Sequence, residues 1–349
     1  MMQIGFHIVE VAKRFPLRIS RGVSGTTQNL FVRLADDAGN VGWGEAAPGT
    51  GYPANFAEIG QAGLTAFTER HPEWAELSIH ALDALARAES IPLPALNALE
   101  NARWDLLAQR AGLPLYQLLG LPRPTVPTSI TLGIEPEDVV RERVPALLAD
   151  GAKVLKIKLG SPEGRDHDRQ IYSVAREVAA PFGVSLRVDA NGGWTPEEAI
   201  AMDAWLAERG CGYVEQPLAK GQESELPAVF AARRLPLFLD ESVQVAADVA
   251  RWADRCDGVN LKLMKTGSLL EAWRAAATAR SHGLKLMVGC MSESAVGIAA
   301  MAALSGLCDH IDLDSHMNHA PDPAEGLLWE NGVVVPPELP GHGARLTAG

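Results

Sequence analysis

The fold class predicted by the sequence is α/β: a modified (β/α)8 barrel of the TIM type, preceded by a smaller α+β domain. Three observations predict it. The chain is 349 residues long, which is too long for one small domain and suits a barrel with an accessory unit. The first third reads as strands followed by helices. From about Pro124 onward, short apolar runs alternate with amphipathic stretches at roughly 25-residue spacing, the length of a strand–loop–helix unit.

In the first unit, Met2 to Phe15 and Gln28 to Asp36 have strand character, and the stretch NLFVRLAD alternates apolar and polar residues. Gly39-Asn40 forms a turn before Val41 to Gly44. Helices are expected over Ala57–Thr68, Ile79–Glu89 and Ala95–Ala111, the last with Leu99, Ala102, Leu106 and Leu107 at helical spacing. In the second unit the strand-like runs are Ser129–Leu132, Val154–Lys158, Ser185–Asp189, Tyr213–Glu215, Leu237–Asp240, Val259–Lys262, Leu286–Gly289 and Ile311–Asp314. Asp168–Val178 and Pro196–Glu208 are the clearest intervening helices, and Pro196 stands at a helix start, where its missing N–H does no harm. No GxGxxG follows a first strand, and eight evenly spaced units favour a closed barrel over an open doubly wound sheet.

Hydrophobic residues make up 47% and charged residues 21% of the chain, the composition of a globular protein with a large core. A formal charge of −12 without a Lys/Arg run argues against nucleic acid or an anionic membrane as partner. Cys211, Cys256, Cys290 and Cys308 form no CxxC pair, so neither a disulfide framework nor a zinc site is expected. Met1 to Phe15 lacks the apolar stretch of a signal peptide, and no window approaches a membrane span. A cytoplasmic enzyme is the expectation.

Barrel chemistry sits at the C-terminal ends of the strands. The second run ends in Lys156-Ile157-Lys158, the third in Asp189, the fourth in Glu215, the fifth in Asp240, the sixth in Lys262 and the eighth in Asp312-Leu313-Asp314. Taken singly, a strand-end Asp caps a turn and a strand-end Lys is solvated. Together they form a pattern. Asp189, Glu215 and Asp240 come from neighbouring strands, and three converging carboxylates repel unless a cation holds them; all-oxygen ligands suit Mg2+. The second and sixth strands face each other across a ring of eight, so their lysines approach a ligand from opposite sides. Lys156 and Lys158 share one face of their strand, and mutual repulsion near a metal is expected to lower the lysine pKa and supply a neutral amine base. A Mg2+ ion on the substrate carboxylate, one lysine removing the α-proton and another returning one to the opposite face would invert that carbon through an enolate.

The motifs LKIKLG (155–160), VDANGGW (188–194), VEQP (214–217), DES (240–242) and VNLKLMKTG (259–267) resemble, in order, those of the enolase superfamily, muconate-lactonizing subgroup. NALENARWDLLAQRAGLPLYQLLG (97–120) resembles that family's capping-domain helix, and WENGVVVPPELPGHG (329–343) its C-terminal return to the cap. The resemblance implies a capping domain over residues 1–123, completed by 322–349, and a catalytic barrel over 124–321. MVGCMSES (287–294) and Asp-Leu-Asp (312–314) resemble the corresponding loops of dipeptide epimerases. Alternation would turn Asp312 and Asp314 the same way, a socket for the ammonium of a dipeptide.

By this resemblance, Lys158 and Lys262 are the acid/base pair, and Asp189, Glu215 and Asp240 bind Mg2+. Lys156 contacts the substrate carboxylate, and Thr131, Cys290, Asp312 and Asp314 line the substrate pocket. Asn191 and Glu241 support the ligands, and Lys265 is structural. Ser268 departs from the family, where many relatives carry a second glycine. The implied activity is epimerisation at the C-terminal residue of L-Ala-x dipeptides, with L-Ala-D/L-Glu first because Arg18 or Arg21, on an expected loop over Pro16–Thr27, could meet an acidic side chain. Glu293 and His316 are further candidates for setting preference. Muconate cycloisomerase, o-succinylbenzoate synthase and N-acyl amino acid racemase share the scaffold, but their substrates offer no ammonium to Asp312 and Asp314. A non-catalytic barrel would not need every strand-end ligand and base. Barrels of this family often associate, and nothing in the sequence fixes a number of subunits.

Overall fold

The computed structural model describes residues 2–49 and 51–347; Met1, Thr50, Ala348 and Gly349 lie outside the described residues. Strands β1 (Gln3–Ile19), β2 (Gly22–Ala35) and β3 (Val41–Ala46) form an antiparallel meander. Helices α1 (Phe56–Arg70), α2 (Ile79–Ala88) and α3 (Leu93–Ala111) follow. Both faces of β2 are covered. Leu30, Val32 and Leu34 pack on Phe67, Leu96 and Leu99 of the helices, while Phe31 packs against Val296 and Ala299 of the barrel. Of the α3 residues placed on its apolar face by spacing, Leu99, Ala102 and Leu106 are buried, whereas Leu107 is exposed.

The expected loop over Pro16–Thr27 is instead the paired end of the β1–β2 hairpin. Leu17 pairs with Ser24 and Ile19 with Gly22, leaving only Ser20 and Arg21 at the tip. The register shifts between Ala12 and Leu17, and Pro16 falls in that irregularity, where its missing N–H interrupts no ladder. The stretch reads as a loop because polar residues, Pro16, Gly22 and Gly25 interrupt its pattern; its order comes from cross-strand pairing and from hydrogen bonds of Ser20 and Arg21 to the barrel.

Strands β4 (Ser129–Leu132), β5 (Val154–Lys158), β6 (Ser185–Asp189), β7 (Val214–Glu215), β8 (Leu237–Leu239), β9 (Gly258–Leu261), β10 (Lys285–Gly289) and β11 (His310–Asp312) lie parallel and in chain order. A Thr128–Ile311 bridge and a hydrogen bond from Ser129 Oγ to Ile311 O (3.2 Å) join the last strand to the first. Strand ends differ from the sequence reading by a residue or two, as fraying termini do. One difference matters. Asp314 lies past the end of β11 in a helical conformation, so strand alternation does not set its direction.

The C-terminal tail carries two short antiparallel pairs, Ala324–Glu325 with Arg345–Leu346 and, between them in the chain, the hairpin Leu328–Glu330 with Val333–Val335. It touches the first domain at His342, which is fully buried, donates its N–H to Asp105 Oδ1 (2.8 Å) and bonds Trp43 O through Nε2 (2.8 Å). The four cysteines are unpaired. Among the described residues no helix is long and apolar enough to cross a membrane.

Candidate active site

Parallel strands deliver their last side chains to one rim. Asp189 ends β6 and Glu215 ends β7, while Asp240 directly follows β8 and Lys262 directly follows β9. All four are buried. Carboxylate oxygens of Asp189, Glu215 and Asp240 lie within 4.8 Å of one another. Lysines surround them. Lys158 Nζ is 2.6 Å from Asp189, Lys262 Nζ is 2.7 Å from Asp240 Oδ2, and Lys265 Nζ is 2.5 Å from Asp240 Oδ1. Lys156 Nζ contacts Asp189 (3.1 Å), Glu215 (2.9 Å) and Asp312 (2.7 Å).

Without a cation, the carboxylates set the state of Lys156 and Lys262. Burial alone lowers Lys156, but Asp312, Glu215 and Asp189 more than offset it and hold the ammonium well above its usual range. Burial likewise lowers Lys262, and Asp240 more than offsets that. Burial raises Asp189 and Asp240, yet Lys158 with Lys156, and Lys262 with Lys265, pull both carboxyls below their usual range. Glu215 goes the other way: burial and the charge of Asp189 push its carboxyl up. Repulsion between lysines dominates only where a cation, not the lysines, neutralises the carboxylates.

The donor set fits a hard divalent ion. All three groups are carboxylates, and buried Glu215 Oε2 faces the Lys156 ammonium at 2.9 Å without an aligned hydrogen bond. Neighbours orient them. Asn260 Nδ2 holds Glu215 Oε1 at 2.8 Å, and the backbone N–H of Asn191 holds Asp189 Oδ1 at 2.8 Å. The Lys265 ammonium also donates to Asp240 O and Asn260 O (2.5 and 2.9 Å), a positioning role. Gln216 Oε1 accepts the Asp240 N–H at 2.9 Å. Asn260 stands two before Lys262 on the same strand face, a spacing the sequence carries. Gln216 had no such signal, because its backbone turns to a positive φ of 37°.

On the opposite wall, Asp312 accepts from Ser129 Oγ (2.6 Å) and Lys156 (2.7 Å), with Thr131 Oγ1 at 3.5 Å. Asp314 accepts the Thr131 N–H at 2.6 Å, so it joins Asp312 through β4 rather than through alternation. Burial and the Asp312 charge push the Asp314 carboxyl up to about 6. Cys290 Sγ lies against Asp312 O (3.2 Å), and burial pushes its thiol up. A cavity of about 930 Å³ opens over this rim, reached by Lys158, Lys262, Thr131, Cys290, Asp240, Asp312 and Asp314. Lys156 is fully buried and does not line it; it lies among three carboxylates beneath the cavity.

Of the four candidates for substrate preference, Arg21 lines the cavity and Arg18, Glu293 and His316 do not. Arg18 is ion-paired with Glu163. Arg21 reaches the cavity but donates to Asn191 O (2.7 Å) and Glu241 (2.6 Å). Glu293 is buried and turned back to the Met291 N–H (2.9 Å), its carboxyl pushed up to about 8 by burial. His316 stands outside the cavity lining, lowered to about 4 by burial. The cavity wall carries Leu17, Ile19, Tyr52, Met264, Met291 and Met317, with Lys13, Arg14, Arg143 and Lys220 also in its lining.

Comparison with known proteins agrees with this geometry. Residues 3–120 match the mandelate racemase/muconate lactonizing enzyme N-terminal domain, and residues 139–348 match the enolase C-terminal domain-like family. A hydrophobic dipeptide epimerase of Roseobacter litoralis is 51% identical over 99% of both chains. The dipeptide epimerase of Methylococcus capsulatus complexed with Mg and L-Arg-D-Lys superposes with a TM-score of 0.87 at 32% identity over 98% of each chain. That of Cytophaga hutchinsonii complexed with Mg and D-Ala-L-Val superposes with a TM-score of 0.89 at 26% identity, over 99% of this chain and 96% of that one. With both domains matched and the rim carboxylates and lysines in order, the chain belongs to the mandelate racemase/muconate lactonizing enzyme family of the enolase superfamily, among its dipeptide epimerases.

Proposed function

We propose that the cavity binds dipeptides with hydrophobic side chains and that Lys158 and Lys262 invert the α-carbon of the C-terminal residue. The observation that carries this reading is the placement of a lysine on each side of one carboxylate cluster, at the ends of β5 and β9, four strands apart in a ring of eight. Asp189, Glu215 and Asp240 would hold a Mg2+ ion. When bound, that ion neutralises charge developing on the substrate carboxylate.

Everything else falls to the chain's own residues. Either lysine, as the free amine, accepts the α-proton from its face. The opposite lysine, as ammonium, delivers a proton to the other face, and the two exchange protonation states with each turnover. Lys156 supplies a fixed positive charge under the carboxylates. Asp312 and Asp314 receive the substrate ammonium at the far end, which fixes the distance between that end and the reacting carbon. The apolar wall of Leu17, Ile19, Tyr52 and the three methionines takes the side chains. Arg18 and Arg21 are spent on Glu163 and Glu241, which argues for hydrophobic residues in place of the glutamate first inferred from sequence. The name of the Roseobacter litoralis relative points the same way.

The test is a substrate profile. With Mg2+, kcat/KM for dipeptides ending in Leu, Phe or Tyr should exceed that for L-Ala-L-Glu by at least about tenfold, the scale of discrimination that apolar pockets give. A preference for L-Ala-L-Glu would refute the hydrophobic assignment and return Arg21 to the substrate.

A further inference from the structure

We propose that Arg21 is a positioning residue that couples docking of the β1–β2 hairpin to divalent-cation binding at Asp189, Glu215 and Asp240. The inference rests on the metal reading above and concerns Ser20 and Arg21, which lie outside the three-carboxylate cluster.

The hairpin tip is held by three hydrogen bonds, all to the loops that carry metal ligands. Arg21 Nη1 and Ser20 Oγ donate to Asn191 O at 2.7 and 2.9 Å, and Arg21 Nη2 donates to Glu241 Oε1 at 2.6 Å. Asn191 in turn donates its backbone N–H to Asp189 Oδ1 (2.8 Å), and its Nδ2 reaches both Asp189 Oδ2 (3.2 Å) and Glu241 Oε1 (3.1 Å). Glu241 directly follows Asp240. One connected path therefore runs from the tip through Asn191 and Glu241 to two of the three carboxylates. Asn191 itself sits at a φ of 44°, a left-handed conformation that asparagine tolerates better than most residues. The close fit also needs Gly193, where an added Cβ would lie 2.9 Å from Ser20 Cβ and 2.6 Å from Gly160 Cα.

Two physical effects oppose each other. As a point charge, Arg21 repels a cation. Removing it would leave Glu241 unpaired and attract the ion more strongly. As a clamp, Arg21 fixes Asn191 and Glu241, so removing it loosens Asp189 and weakens binding. The distances favour the clamp: the guanidinium is already neutralised at 2.6 Å by Glu241. Binding linkage is reciprocal, so cation binding must also strengthen hairpin docking. The pair is partly solvated, with side chains 40% and 18% exposed, so the effect belongs at the low end of usual couplings, about 5-fold.

Isothermal titration of the full chain with MgCl2 tests this, alongside Arg21→Met and Arg21→Lys, with folding checked by circular dichroism in EDTA. The clamp requires Kd for Mg2+ to rise about 5-fold in both variants, because lysine keeps the charge but lacks the two-pronged donor. Unchanged affinity in both, or tighter binding in Arg21→Met with unchanged binding in Arg21→Lys, overturns the coupling while leaving the metal site standing. Absence of Mg2+ binding by the unmodified chain removes the metal reading and the coupling with it. Should Arg21→Met fail to fold, Arg21→Lys alone decides. A second readout is trypsin cleavage after Arg18 or Arg21 in the unmodified chain: Mg2+ should slow it about 5-fold, and an unchanged rate contradicts the coupling.

Discussion

Replacing Gly289 by alanine tests how tightly Lys262 is placed. Gly289 ends β10, beside β9. A Cβ there would stand 2.7 Å from Asn260 Oδ1 and 2.9 Å from Lys262 Cε. Ordinary contact begins at 3.4 Å, so both side chains must retreat by roughly half an ångström or more, an overpacking that costs about 1–3 kcal/mol. Neither has free room. Asn260 Nδ2 is bound to Glu215 Oε1 at 2.8 Å, and Lys262 Nζ to Asp240 at 2.7 Å. A misplacement of about 1 Å at a reacting group costs about 100-fold, and half that distance corresponds to about 10-fold in kcat. The assay is α-proton exchange in D2O started from each epimer separately. Exchange from the face served by Lys262 should slow by about 10-fold or more, with less effect from the Lys158 face. Equal rates for Gly289→Ala and the parent from both epimers would show that Lys262 does not depend on this contact and would remove the geometric basis for its role.

Two further outcomes follow from the charges at the rim. Asp314→Asn keeps an acceptor for the Thr131 N–H but removes the charge offered to an ammonium, so KM for free-amine dipeptides should rise about 10-fold or more, the worth of a charged hydrogen bond. Because the Asp314 carboxyl titrates at about 6, it is ionised above that pH and neutral below it; KM in the parent should climb as pH falls through about 6, and a pH profile of Asp314→Asn with the same climb contradicts the assignment. Mg2+ should compete with Lys262 for Asp240 and lower the Lys262 pKa, read by NMR of labelled lysine across pH with and without the ion. A Lys262 titration indifferent to Mg2+ would mean that the free amine is not produced this way.

The barrel was legible because its signal is repetitive. Eight apolar runs at even spacing give both strand count and order, and motifs at their ends give the rim. What escaped is long-range. That the hairpin tip would be extended depends on Asn191, Glu163 and Glu241, which lie more than a hundred residues away in sequence. Pairing of Arg18 and Arg21 with protein carboxylates, rather than with substrate, is invisible to a reading that sees only arginines in a polar stretch. Lys156 illustrates the same limit: spacing puts it on the face of Lys158, but only the assembled barrel surrounds it with Asp189, Glu215 and Asp312. The direction of the Lys262 shift likewise depends on Asp240, a neighbour supplied by another strand.

The most direct measurement is deuterium incorporation into hydrophobic L,L-dipeptides incubated with the protein and Mg2+ in D2O, followed by mass spectrometry and chiral separation. A gain of one deuterium at the C-terminal α-carbon with conversion to the L,D epimer, abolished by EDTA and lost in Lys158→Ala, is the predicted result. No exchange on any dipeptide by the folded, Mg2+-loaded protein, or exchange that survives Lys158→Ala, would contradict the two-lysine epimerase.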